Sequence, residues 1–334
     1  MLKQQLNTGI KEGNKSKPSW TELVEDELAL VEEVLCDPIP GQHGMLTNTI
    51  QALFSAGGKR IRPSVLLLTA KYFKANLDRA VSMAASVEML HTGTLVHDDM
   101  IDGASIRRGA PTLNQLWSPE IAVLTGDFMF ARSASLIAEV EIIPIMKLFS
   151  QTLEVILNGE IKQKFTKWRV NREEYEERIF AKTAALFVLC THSAAVLGNV
   201  DRKVVEAMIA FGKAIGTSFQ IIDDVLDLTG NVDQVGKPIG GDLSQGIFTL
   251  PTILFSQSHP NDKDLNALIK DQGADPSLIH RLVKKIRESG AIEASMVEAR
   301  GRIKEGKNML IELPPSKYLN ALYSLAEQIV NRQY

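Results

Sequence analysis

The sequence predicts an all-α protein built as a single domain, and three observations predict it. Apolar residues recur at helical spacing along most of the 334 residues. Strict apolar–polar alternation is rare, and no hairpin dipeptide separates two alternating runs. One acidic pattern, DDxxD, occurs twice, as Asp98-Asp99-Met100-Ile101-Asp102 and as Asp223-Asp224-Val225-Leu226-Asp227, each time inside an apolar helical stretch.

Residues 1–18 are polar and lysine-bearing, without an apolar core segment, and read as a mobile tail rather than a signal peptide. The domain is expected over 19–334. Trp20–Leu35 carries Leu23, Val24, Leu28, Val31, Val34 and Leu35 as one helical stripe. Gly57-Gly58 ends the next helix, and Pro63 suits the first turn of another. Arg62–Tyr72 then reads as a buried helix, because Val65–Leu68 is apolar all round. Leu77–Ile101 is long and ends in the first acidic motif. Helices are expected over Ile121–Val140, Ile145–Phe165, Arg172–Leu197 and Val204–Leu228, the last ending in the second motif. The loop from Thr229 to Thr249 holds five glycines with Lys237, Pro238 and Asp242, and is expected to close over the motif that precedes it. Beyond Asp262 the sequence gives helical periodicity and little else.

Composition excludes several classes. Net charge is −3, so no global basic field favours nucleic acid. The two cysteines, Cys36 and Cys190, lack metal-type spacing and read as reduced thiols of a cytoplasmic protein. No stretch reaches roughly 18 uninterrupted apolar residues, so no transmembrane segment is expected.

The acidic motifs carry the chemistry. On a helix, positions i, i+1 and i+4 project from one side, and like charges so placed repel. Apolar surroundings raise that cost. Hard divalent cations prefer oxygen ligands, and Mg²⁺ is commonly shared between carboxylates and substrate phosphates. Two such patches predict a diphosphate held by bridging metals. Polar stripes lead into both: His91, Leu95, Asp98 and Asp102, and Gln220, Asp223 or Asp224, and Asp227. Basic residues add a second kind of pocket. Lys59, Arg60 and Arg62 sit on a glycine turn that opens a helix, a geometry suited to phosphate. Arg107-Arg108-Gly109 follows the first motif, and Lys182-Thr183 lies in a mainly apolar helix.

GGKRIRP, HTGTLVHDDMID, RRG, FQIIDDVLD and GKPIGGDL, in that order between Ile50 and Pro251, resemble the trans-isoprenyl diphosphate synthases, the all-α prenyltransferases. The resemblance implies a bundle of about ten or more helices around a central substrate cavity. It implies isopentenyl diphosphate on Lys59, Arg62, His91 and Arg108. It implies two or three Mg²⁺ ions, replaceable by Mn²⁺, on Asp98, Asp102 and Asp223, with Asp99, Asp224 and Asp227 in or near that shell. Arg107, Lys182, Thr183, Gln220 and Lys237 would contact the allylic diphosphate. The catalytic set is then Asp98, Asp99, Asp102, Asp223, Asp224 and Lys182. Relatives often carry a lysine in a G-K-x-T run after the second motif; here the run is Gly246-Ile247-Phe248-Thr249. That variant resembles the long-chain enzymes making hexa- to decaprenyl products for quinone side chains. A homodimer is expected from the same resemblance, with peripheral membrane contact for product release.

Product length is expected to be set on the helix before Asp98. A helical turn rises about 5.4 Å, close to one isoprene unit. Gly93 and Thr94 are not bulky, and Leu90 and Val87 come next without an aromatic ring. The growing tail is therefore expected to pass, unless a wall on the segment from Phe128 to Ile137 stops it. The alternatives are a geranylgeranyl or farnesyl diphosphate synthase, a class I terpene cyclase, and a non-catalytic synthase subunit. A cyclase would lack GGKRIRP, and a silent subunit should have lost one acidic motif.

Overall fold

The computed structural model describes residues 20–55, 57–107, 110–230, 239–273 and 275–332. These residues fold almost wholly into helices, as the periodicity predicts. They form two compact units. One takes the chain up to Phe149, with Cys190–Val205 and Pro315–Leu322. The other takes Ser150–Leu189, Glu206–Pro314 and the end of the chain from Tyr323.

In the first unit a 3₁₀ turn, Thr21–Val24, leads into α1 (Glu25–Cys36), followed by α2 (Gly44–Ser55), α3 (Ile61–Tyr72) and α4 (Leu77–Ile101). Every residue from Pro63 to Ala70 of α3 is buried, which explains its unbroken apolar run. Asn76 caps α4 by accepting from the Arg79 amide at 2.9 Å. After α4 the chain makes a minimal antiparallel ribbon, β1 (Ile106–Arg107) and β2 (Ala110–Pro111), which the sequence reading does not foresee. A short α5 (Leu113–Leu116) precedes α6 (Pro119–Ala138), opened by the Ser118 cap and Pro119 in its first turn. Helix α4 packs along α6 and also against α3 and α1.

The α4–α6 approach is close because two glycines permit it. A Cβ on Gly126 would lie 2.3 Å from His97 Nε2, and one on Gly93 would lie 3.0 Å from the Phe130 ring. Carbon atoms ordinarily rest at about 3.5–4.0 Å, so neither position accepts a side chain without a shift.

The chain continues through α7 (Ile143–Phe165), α8 (Arg172–Ile179), a π turn at Phe180–Ala184, α9 (Ala185–Leu197) and α10 (Arg202–Thr229). The helix expected over Arg172–Leu197 is thus continuous but widened at its centre. Asn171 caps α8 on the Glu174 amide at 3.0 Å. There follow α11 (Gly241–Ser244), α12 (Leu250–Ser258), α13 (Lys263–Asp271), α14 (Pro276–Glu288), α15 (Ala291–Met309) and α16 (Lys317–Val330). In the second unit Leu228, Leu243, Phe248, Phe255, Leu268, Leu282 and Ile286 share one core.

Three helical segments are long and apolar enough to cross a membrane by length and composition: Pro119–Ala138, Arg172–Leu197 and Arg202–Thr229. The requirement for uninterrupted apolar residues passes over them, since each holds polar residues within its span. For Arg172–Leu197, 72% of the apolar window is buried within the protein, which accounts for its hydropathy without a membrane.

Candidate active site

The first acidic motif occupies the last turn of α4. Asp98 and Asp99 lie inside the helix, and Asp102 caps it, its amide bonding back to the Asp98 carbonyl at 2.9 Å. A helix carboxyl end carries partial negative charge, so carboxylates there are disfavoured until a cation arrives. One is supplied by the chain itself. The β1 ribbon brings Arg107 back so that its Nε donates to both oxygens of buried Asp99, at 2.7 and 2.8 Å. Asp99 is thereby held by Arg107, while Asp98 and Asp102 are half-buried and exposed.

At the amino end of α3, Lys59 is exposed and Arg62 is half-buried. Arg60, between them, turns the other way. It adopts a left-handed conformation (φ 44°) and donates to Glu32, to Glu88 at 3.0 Å and to the Phe54 carbonyl at 2.9 Å. Arg60 therefore braces the glycine turn, and the helix amino end keeps Lys59 and Arg62 beside it. His91 is half-buried on α4. Arg108 and Lys237 lie outside the described residues.

The candidate length-setting residues behave differently from one another. Val87 and Leu90 are fully buried. The room left by Gly93 is taken by the Phe130 ring of α6 rather than left open. Thr94 is half-buried, its hydroxyl donating to the His91 carbonyl at 2.7 Å. Phe130 falls within the segment named above as the other wall.

The second motif, on the last turns of α10, is built more deeply. Asp224 is buried and held from two sides. Tyr175 Oη donates to its Oδ2 at 2.7 Å, and Gln220 Nε2 donates to its Oδ1 at 2.9 Å. Gln220 Oε1 in turn accepts from the Thr183 hydroxyl at 2.5 Å. Burial, and then the charge of Asp242, push the Asp224 carboxyl up to about 7. Asp227 is met by the glycine loop: the amides of Gly241 and Asp242 lie 3.2 and 3.3 Å from its two oxygens. Gly240 makes that turn possible, with φ at 75°. Asp223 lies 3.7 Å from Arg332, whose guanidinium rests 4.2 Å from the Phe219 ring centroid. Lys182 Nζ lies 3.4 Å from Glu160.

Lys182, Thr183, Gln220 and Asp224 thus lie in one unit, while Arg107, expected to touch the same diphosphate, lies in the other. Four contributors escape the sequence reading: Tyr175, Glu160, Arg332 and the carboxylate of Asp242. Asp242 had a signal, since GGDL lies in the glycine-rich loop that follows the second motif; the others are reached only through tertiary packing.

The donor sets fit a hard cation. They offer carboxylate oxygens only, and at the second motif Asp242 adds negative charge that already perturbs Asp224. Among the described residues no three such side chains converge on one metal position. A metal here would complete its shell with water and substrate oxygens, which suits Mg²⁺.

Comparison with known proteins identifies the family. The polyprenyl synthetase family pattern matches residues 43–286. Component 2 of the heptaprenyl diphosphate synthase of Bacillus subtilis (strain 168) is 32% identical, over 97% of this chain and 96% of that protein. The chloroplastic solanesyl-diphosphate synthase 2 of Oryza sativa subsp. japonica is 33% identical, over 95% of this chain and 80% of that one. A crystal structure of a polyprenyl synthase from Caulobacter crescentus CB15, complexed with calcium and isoprenyl diphosphate, superposes with a TM-score of 0.86. It is 32% identical, over 96% of this chain and 100% of that one. The chain belongs to the polyprenyl synthetase family.

Proposed function

We propose that this prenyltransferase is a trans-polyprenyl diphosphate synthase of the long-chain kind, condensing isopentenyl diphosphate head to tail onto an allylic diphosphate. The chain from Thr183 through Gln220 to Asp224 carries the reading: two residues assigned to one diphosphate are tied by hydrogen bonds to one acidic motif, with Lys182 next to Thr183 on the same turn. Lys59, Arg62, His91 and Arg108 serve isopentenyl diphosphate. Arg107, Lys182, Thr183, Gln220 and Lys237 serve the allylic diphosphate.

Asp98, Asp102 and Asp223 would hold Mg²⁺, and Asp227 and Asp242 belong with Asp223 in the second unit. Bound Mg²⁺ supplies Lewis-acid stabilisation of the leaving diphosphate. Arg107 and Tyr175 hold Asp99 and Asp224 in place. The cationic side chains bind the allylic diphosphate as its C1–O bond breaks. The isopentenyl double bond then forms the new carbon–carbon bond, and a proton leaves with the diphosphate. Surrounding apolar helices keep water from the allylic cation.

Relatives named for heptaprenyl and solanesyl products support a long chain, and the absence of a cation at Ile247 agrees. A homodimer, a cytoplasmic setting and peripheral contact with a membrane for product release complete the reading.

The test is direct. The pure protein is incubated with labelled isopentenyl diphosphate, a set of allylic primers and Mg²⁺, and the products are sized. A ladder running beyond geranylgeranyl diphosphate is expected. A product stopping at farnesyl or geranylgeranyl removes the long-chain assignment, and a cyclised hydrocarbon removes the synthase reading itself.

A further inference from the structure

The π turn Phe180–Ala184 carries Lys182 and Thr183, yet its residues hold no glycine or proline to force an irregular helix. Single π turns are rare, and a continuous α-helix is the default for such a sequence. Two neighbouring helices approach it closely. On α7, Gly159 comes so close that an added Cβ would lie 2.4 Å from the Ala181 Cβ. On α10, Gly216 comes so close that an added Cβ would lie 2.3 Å from the Ala184 Cα and 2.8 Å from its Cβ. Both distances fall far below ordinary carbon contact.

Each glycine is joined to one polar anchor of the turn. Glu160, beside Gly159, reaches Lys182 Nζ at 3.4 Å. Gln220, one helical turn after Gly216, accepts from the Thr183 hydroxyl at 2.5 Å. Where a glycine lets the backbone in, a neighbouring side chain on the same helix holds the functional group that results.

We propose that Gly159 and Gly216 are positioning residues of the allylic diphosphate pocket, which by admitting the π turn against α7 and α10 fix the aim of Lys182 and Thr183. The inference rests on the synthase reading for its ligand and goes beyond it in naming what builds the pocket.

The test exchanges methyl groups across the two contacts. KM values for farnesyl diphosphate and for isopentenyl diphosphate are measured with Mg²⁺ in Gly159→Ala, Gly216→Ala and the doubles with Ala181→Gly and Ala184→Gly. Gly159→Ala should raise KM for farnesyl diphosphate by at least about tenfold, as expected for a displaced contact, and leave that for isopentenyl diphosphate unchanged. Adding Ala181→Gly should restore it, because that clash is methyl against methyl. Gly216→Ala should show the same split, but Ala184→Gly should not restore it, because the main-chain Ala184 Cα remains in the way. Unchanged KM values in the single variants overturn the proposal, as does an equal rise for both substrates with no rescue. If the unmutated chain does not turn over, the synthase reading alone fails. Calorimetric affinities for farnesyl diphosphate then carry the same comparison, and equal affinities across the variants overturn the positioning role.

Discussion

Asp224 shows at the residue scale what a carboxylate demands inside a helical core. It sits on α10 within five residues of two other aspartates, shielded from water, and takes two hydrogen bonds as partial compensation. Asp99 solves the same difficulty with a full cation, Arg107. In both motifs the central aspartate is therefore committed to the protein, whereas of the outer ones Asp227 takes two loop amides and Asp223 lies near Arg332. Asp98→Ala or Asp223→Ala should cut turnover by about 10²–10³, equivalent to some 3–4 kcal/mol of transition-state stabilisation. Steady-state assays with saturating Mg²⁺ check this, and full activity in excess chelator would exclude a metal role. The motif spacing alone announces these aspartates. That Asp99 and Asp224 are held by side chains is invisible in the sequence, because Arg107 and Tyr175 arrive by folding.

At the scale of the element, α4 is legible throughout, since period, cap and acidic end all lie within one segment. What it touches is not. Gly93 reads as open space in sequence, yet Phe130 of α6 fills that space. The two substitutions that would block a tail passing this turn should therefore part company. Thr94→Phe should shorten the product, because Thr94 is half-buried on the turn that the growing tail is proposed to pass. Gly93→Tyr should overpack the α4–α6 contact, costing about 1–3 kcal/mol or more and lowering the melting temperature. Product sizing beside thermal melts separates the outcomes, and a soluble, stable Gly93→Tyr enzyme with a short product would contradict the packing argument. The π turn is illegible for a related reason: the glycines that approach Phe180–Ala184 lie on other helices.

The tie between α8 and α15 makes a separate prediction. Glu298 accepts from Arg172 and, at 2.5 Å, from Arg302, which also bonds Glu176 at 2.6 Å. Burial alone would raise the Glu298 carboxyl, but the two arginines outweigh it and hold it below its ordinary value of 4.5. A depressed carboxyl stabilises the fold above its unfolded pKa, and that contribution is lost as pH falls through the folded pKa. Glu298→Gln should therefore cost about 1 kcal/mol at neutral pH, allowing for partial solvent screening. The deficit should disappear below about pH 4. Denaturant titrations at several pH values measure it, and a deficit that persists in acid would assign the effect to packing instead.

At the scale of the whole molecule, the apolar surface is the remaining physical demand. Helix α6 has the hydropathy of a membrane span, yet only 39% of its apolar window is buried by its own chain. Leu124 on α6 is 63% exposed, with Val123 beside it at 39%. Isolated exposed leucines need no explanation, but a long apolar helix with an uncovered side is more than that. A second copy of the chain is the economical cover, because a two-fold interface buries the same residues twice. Sedimentation velocity at micromolar concentration should therefore show a dimer. Leu124→Asp should shift it towards monomer, since each interface would then carry two buried unpaired carboxylates. A dimer indifferent to Leu124→Asp would move the interface off α6. An unmutated chain that stays monomeric and inactive until mixed with a different subunit would replace the homodimer with a heteromer.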